Sequence, residues 1–211
     1  MQLPRFYPIV DTAALAACGF DTVDAAEALV EGGARILQIR HKDAFTRAVY
    51  ADCERVAALC RETGAMLVID DRADIARMLN AGVHVGQDDL PPAAARAVTG
   101  PHALLGFSTH TEAQLRATAG VPADYVAFGP VFGTTSKRNP DAVTGVEQVR
   151  ALRPLTARPL VAIGGITRAN AREVLAAGAD SVAVIGDLTA GCMRVRDLRT
   201  RTEEWLQLLA T

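Results

Sequence analysis

Aromatic side chains are scarce in this sequence, at 5% of residues, and cysteine is scarcer still, with four in 211. Half of the residues are nevertheless hydrophobic, so a sizeable core is expected and must be built mainly from alanine, valine and leucine, as in layered α/β proteins. Disorder is not expected from such a composition. The cysteines, Cys18, Cys53, Cys60 and Cys192, show no CxxC spacing, and no cysteine or histidine spacing suits zinc. Cys53 and Cys60, seven residues apart on one helix face, read as small apolar fillers. Charge of one sign is also lacking. A net charge of -2 offers no general attraction for nucleic acid or an anionic membrane, so neither is an expected partner, and any anion site has to be local. No apolar run approaches the ~20 residues of a membrane span. The N-terminus lacks the basic, apolar and cleavage-site succession of a secretory signal. A reducing cytoplasm is the expected location. Nothing in the chain sets an oligomeric state.

What is present is a regular alternation. Short apolar runs at 6–10, 36–40, 66–70, 83–86, 104–108, 124–128, 160–164 and 181–185 read as strands. Amphipathic segments near 22–32, 46–63, 72–80, 91–98, 111–118, 144–153, 167–177 and 194–209 read as helices. Thr109 or Thr111 stands as a helix cap before Glu112, and Thr167 as another; Gly64 and Gly178 stand where helices stop. Length alone leaves one large domain or two small ones. No linker, low-complexity tract or charge run divides the chain, so residues 1–211 are expected to form one domain. Evenly spaced strand–helix units of this number fit a closed (β/α)8 TIM barrel better than an open doubly wound sheet.

Polar residues fall where such a barrel keeps its chemistry, at the carboxyl ends of the strands. In Gln38-Ile39-Arg40-His41-Lys42 the two-residue period of a strand puts Gln, Arg and Lys on one side. Cations there need an anion, either a protein carboxylate or a ligand. Asp70-Asp71, with Asp89 after the next strand, puts carboxylates at neighbouring strand ends. Carboxylate oxygens are the hard ligands that Mg²⁺ prefers, and Mg²⁺ completes its shell with water and substrate phosphate. Residues 124–140, DYVAFGPVFGTTSKRNP, run from a buried strand into a loop of glycine, hydroxyls and cations; they suit an anion, unless the loop is simply a basic solvated surface. Gly164-Gly165 and Gly186 follow the last two strands, where they serve either tight turns or a phosphate. His84 lies inside an apolar strand and reads as a satisfied core histidine, whereas His110 faces the mouth. Asp43, Arg72 and Arg138 suit local pairing. No nucleophile–base pair stands out. The pattern asks for a metal-bound diphosphate on one side and a monophosphate on the other.

The succession LQIRHKD, IDDRADIA, GVHVGQDDLP, GFSTHT, DYVAFGPVFGTTSKRNP, PLVAIGGI and ADSVAVIG, over nearly the whole chain, closely resembles the thiamine phosphate synthase family. The resemblance implies a transferase of thiamine biosynthesis. Its substrates would be hydroxymethylpyrimidine diphosphate and hydroxyethylthiazole phosphate, and it would release pyrophosphate. It also implies that Gln38, Arg40 and Lys42, with the intervening Ile39 and His41, form a substrate-binding strand end beside Asp70. Asp71 and Asp89 would bind Mg²⁺. Ser108 and Lys137 would contact the diphosphate, and Lys137, Arg40 and Ser108 would carry the chemistry. Thr134, Thr135 and Ser136 would take the thiazole phosphate, with Gly165, Ile185 and Gly186 closing that pocket.

Three features depart from the family pattern. Asp70 stands where asparagine is usual, so its carboxylate is left either to join the metal shell or to sit protonated. Gly186 stands where serine is usual, which removes a hydroxyl donor. The segment from Asp71 to Asp89 is a residue shorter than usual. Two rival functions follow from the same residues: a thiazole tautomerase of the same barrel family, for which His110 would be a suitable base, and a barrel that binds ligands without turning them over.

Overall fold

Eight apolar runs become strands because β-branched and aliphatic side chains fill both faces, which only a sheet covered on both sides can bury. The computed structural model describes residues 2–134, 136 and 141–210. Its strands are β1 (Phe6–Asp11), β2 (Ile36–Arg40), β3 (Met66–Asp70), β4 (Gly82–Val85), β5 (Leu105–Thr109), β6 (Tyr125–Phe128), β7 (Leu160–Ile163) and β8 (Ser181–Val184). All neighbours run parallel, and β8 returns to β1 with Phe6 opposite Val182, so the barrel is closed in strand order. The helices are α1 (Thr12–Ala17), α2 (Thr22–Glu31), α3 (Arg47–Thr63), α4 (Ala73–Leu79), α5 (Pro92–Thr99), α6 (Glu112–Ala117), α7 (Val146–Leu152), α8 (Ala171–Ala176), α9 (Gly186–Thr189) and α10 (Asp197–Leu209). The strand ends differ from the sequence reading by a residue or so. Two short helices, α1 and α9, were not legible in the periodicity, because four to six residues cannot display a 3.6-residue repeat.

The core has two layers. Tyr7, Ile9, Ile36, Val68, Tyr125, Ala127, Val161 and Ala183 fill the barrel interior. Phe6, Val10, Leu37, Ile39, Ile69, Val126, Phe128 and Val184 point outward and pack under the helices. Trp205 of α10, fully buried, stacks on Phe6 with ring centroids 5.3 Å apart and so locks the last helix over the first strand. Side-chain caps set several helix starts: Asp11 accepts from Ala14 N, Asp21 from Val23 N and Thr111 from Gln114 N. The cap expected at Thr167 is not there. Thr167 N donates instead to Asn170 Oδ1 at 2.8 Å, and Asn170 occupies the cap position of α8.

Cys53 and Cys60 lie in the layer between α3 and the barrel, where burial pushes both thiols up to about 11. They are fillers, and in native protein a thiol reagent at neutral pH should label the exposed Cys18 while sparing both until the fold opens. Labelling of Cys53 or Cys60 at the rate of Cys18 would contradict this. Among the described residues, no helix is long and apolar enough to cross a membrane.

Candidate active site

The carboxyl ends of the strands surround a cavity of about 810 Å³. Its lining brings together Gln38 and Arg40 of β2 and Lys42 just after it, Asp70 of β3 and Asp71 just after it, Asp89 after β4, and Ser108 of β5. It also includes Thr134 and Ser136 after β6, Gly165 after β7, and Ile185 and Gly186 after β8. Two residues expected at the site are elsewhere. Ile39 points away from the cavity into the helix-covered layer, as the two-residue period of β2 requires once Gln38 and Arg40 face inward. His41 turns outside: its ring nitrogens meet Thr12 Oγ1 at 2.8 Å and Ala44 O at 3.2 Å, and its ring packs edge-on against Phe45. Thr135, Lys137 and Arg138 lie outside the described residues.

On one side of the cavity, charges are densely paired. Asp70, 8% exposed, accepts from Gln38 Nε2 at 2.8 Å on Oδ1, while Lys42 Nζ stands 2.7 Å and Arg40 Nε 3.7 Å from Oδ2. Lys42 meets Oδ2 as a charge, with no hydrogen bond aligned on that buried oxygen. Asp70 is therefore the hub that gathers Gln38, Arg40 and Lys42 at the end of β2, an arrangement an asparagine could not hold by charge. Arg40 is gripped on its far side by Asp11, which is itself the cap of α1. Lys42 also donates to Asp71. Burial pulls the Lys42 ammonium down, but Asp70 and Asp71 outweigh it, and the net direction is up.

Asp71 is the strained member. Its φ of 61° lies in the left-handed region, sparsely used by residues other than glycine, and its N–H donates to His84 O across to β4. Burial, then the charge of Asp70, pushes its carboxyl up to about 6, and a hydrogen bond with Asp89 adds to the rise against the pull of Lys42. Asp89 Oδ2 accepts from Gly86 N at 2.7 Å, which closes the turn after β4 and aims the carboxylate at Asp71. Two neighbouring carboxylates, one of them with its proton affinity raised by burial and by nearby negative charge, are a fitting seat for a hard divalent cation. Among the described residues, no group of three or more His, Cys, Asp or Glu has the geometry to hold a metal. A cation on Asp71 and Asp89 would thus draw its other ligands from water and substrate, as Mg²⁺ commonly does.

The opposite rim is made of backbone and hydroxyls. Gly165 has φ 61°, and a Cβ there would sit 2.4 Å from Gly133 O, so only glycine lets the loop after β6 close on the loop after β7. Thr134 Oγ1 accepts from Ser136 N at 3.2 Å, and both residues line the cavity. Gly186 is unlike its neighbour: no atom lies within 4 Å of a Cβ built on it, and its φ is not positive. His110 also lines the cavity, with Nδ1 donating to Gly129 O at 2.7 Å and standing 3.6 Å from Asp141 Oδ2.

Sequence reasoning missed Asp11, Tyr7 and Tyr125. Asp11 ends β1 as the other polar residues end their strands, so the same strand-end rule applied to β1 would have found it. Tyr7 and Tyr125 line the cavity floor, but within apolar runs nothing distinguishes them from core.

Fold and mouth define a (β/α)8-barrel enzyme with an anion-suited site on the carboxyl ends of its strands. The model described as thiamine monophosphate synthase matches residues 6–188, and the chain belongs to that family. A thiamine-phosphate synthase of Koribacter versatilis is 46% identical over 217 residues, which cover 99% of this chain and 97% of that protein. One of Chloroflexus aurantiacus is 41% identical over 185 residues, 84% of this chain and 85% of the relative. Among solved structures, a thiamine phosphate pyrophosphorylase from Pyrococcus furiosus superposes with a TM-score of 0.84 at 33% identity, covering 98% of this chain and 95% of its own.

Proposed function

We propose that the chain condenses hydroxymethylpyrimidine diphosphate with hydroxyethylthiazole phosphate to form thiamine phosphate and pyrophosphate, in the cytoplasm. The observation that carries this reading is convergence. Strand ends far apart in sequence line one cavity, with cations and carboxylates on one side and glycines and hydroxyls on the other, in a chain of this family. The relatives described above are named as synthases, which favours condensation over the tautomerase reading.

In this reading the C–O bond between the pyrimidine methylene and the diphosphate breaks, and its electron pair leaves with pyrophosphate. The thiazole nitrogen then gives its lone pair to the methylene carbon, forming the new C–N bond. No strong base is needed. Arg40 and Lys42, held by Asp11, Asp70 and Asp71, face the leaving group as negative charge grows on it. Ser108 adds a hydroxyl, and Lys137, by the family resemblance, a further cation. Bound at Asp71 and Asp89, Mg²⁺ would neutralise diphosphate charge as a Lewis acid. Thr134, Ser136 and the backbone of Gly165 and Gly186 hold the thiazole phosphate so that its ring nitrogen faces the methylene. The test is an assay with both substrates and Mg²⁺. Thiamine phosphate and pyrophosphate in equal amounts support the reading. Isomerised thiazole phosphate without pyrophosphate points to the tautomerase, and binding without product to a non-catalytic barrel.

Gly186 permits a sharper check. Since a serine Cβ fits there without contact or strain, Gly186→Ser restores a hydroxyl donor at no conformational cost. A hydrogen bond to a charged group is worth roughly 1.5–3 kcal/mol, so the KM for the thiazole phosphate should fall about tenfold or more while that for the diphosphate stays put. Unchanged KM values would place Gly186 outside the phosphate pocket.

A further inference from the structure

Four side chains link the floor of the cavity to its wall. Tyr7 Oη is 2.9 Å from Tyr125 Oη, Tyr125 Oη 2.9 Å from His84 Nδ1, and His84 Nε2 2.8 Å from Ser108 Oγ. The contact between β4 and β6 reaches across β5, where Gly106 stands in register with both His84 and Tyr125. A Cβ on Gly106 would sit 2.3 Å from Tyr125 Oη and 2.4 Å from His84 Nδ1, so the missing side chain is what lets the two rings meet. His84, 8% exposed, has a hydroxyl at each ring nitrogen and, among the described residues, no carboxylate within hydrogen-bond reach of either, so a neutral ring with one proton satisfies both contacts. Burial raises the pKa of both phenols, which stay protonated.

Counting donors decides where the histidine proton sits. With the proton on Nε2, every bond has a donor: Tyr7 O–H to Tyr125 Oη, Tyr125 O–H to Nδ1, and Nε2–H to Ser108 Oγ. The Ser108 hydrogen is then left over and points into the cavity. With the proton on Nδ1, the whole chain reverses: Ser108 O–H turns back to Nε2, Tyr125 donates to Tyr7, and the Tyr7 O–H is stranded. Tyr7 is 1% exposed, and among the described residues its hydroxyl has no other hydrogen-bond partner. A buried donor without an acceptor is costly, so the first arrangement prevails.

We propose that His84, set by Tyr7 and Tyr125, is a positioning residue that holds Ser108 as an obligate hydrogen-bond donor toward the diphosphate group of the substrate. This deepens the function proposed above and rests on it for the identity of the ligand. Ser108 can otherwise donate or accept; a hydroxyl fixed as a donor favours a phosphate oxygen and discriminates against a ligand group that must itself donate there.

Two measurements on the full chain test it. Imidazole ¹H–¹⁵N spectra, with the His84 signal assigned by its loss in His84→Gln, should show Nε2 protonated and Nδ1 bare. Calorimetric titration of inorganic pyrophosphate with Mg²⁺ should show Tyr125→Phe binding about tenfold more weakly, because Nδ1 loses its donor and Ser108 is free to turn inward. In a Ser108→Ala background the same substitution should cost nothing further, an outcome that general loosening of the core would not give. A proton on Nδ1, wild-type affinity in Tyr125→Phe, or equal losses in both backgrounds would each overturn the proposal while leaving the diphosphate reading intact. Wild-type protein that fails to bind pyrophosphate, with the Nε2 proton in place, would remove the diphosphate reading and with it the ligand proposed for Ser108.

Discussion

Asp71→Asn should cut turnover by about 10²–10³, the range for losing one preorganised stabiliser of transition-state charge, while thermal stability holds or rises. The two effects have opposite signs for one reason. Asp71 is crowded by burial and by the charge of Asp70, which push its carboxyl up to about 6, so a neutral side chain of the same shape relieves the ligand-free fold. Asparagine also tolerates the left-handed backbone that Asp71 adopts at φ 61°, where alanine would add strain. In the proposed reading the same crowding would recruit a divalent cation, and an amide oxygen carries no charge to hold one. Chelation of wild-type protein should reproduce the loss, and added Mg²⁺ should restore it in the wild type but not in the variant. Full turnover by chelated protein without added metal would remove Asp71 and Asp89 from the reaction. A fall in melting temperature with turnover intact would make Asp71 a purely structural residue.

The second large effect is expected at a residue with no side chain. Gly106→Ala places a methyl group 2.1 Å from Tyr125 Cζ and 2.4 Å from His84 Nδ1, in the barrel interior, so at least one of the two rings must shift. Overpacking of this kind costs roughly 1–3 kcal/mol, which for a chain of this size lowers the melting temperature by several degrees. Because the clash parts the very atoms that connect His84 to Tyr125, turnover should fall as well, by about tenfold if the donor at Ser108 is lost. Melting curves and steady-state kinetics on the same preparation test both. An alanine variant that melts like the wild type would mean the rings can slide apart freely, and the contact across β5 would carry no weight.

Much of this protein was legible along the chain. Period and composition separate strands from helices, since a run such as 66–70 with apolar residues on both faces can only be buried from both sides, and the even spacing of such runs calls for closure. Once the barrel is granted, its carboxyl-end rule gathers Gln38, Arg40, Lys42, Asp71, Asp89 and Ser108 without further information, because the rule depends only on where each strand ends. The two-residue period should also have excluded Ile39; local order contains that fact, and the resemblance overrode it.

Partnership is what only the tertiary structure decided. Asp70 serves as the hub of Gln38, Arg40 and Lys42, and Asp11 grips Arg40 from a different strand. Gly106 matters because His84 and Tyr125 stand on either side of it. None of these follows from any one segment, since each depends on the register between neighbouring strands, and register is set by the closed packing of all eight. Local sequence determines which way a side chain faces; the distance to a side chain on another strand, and hence its charge state and hydrogen-bond direction, exists only once the barrel has closed.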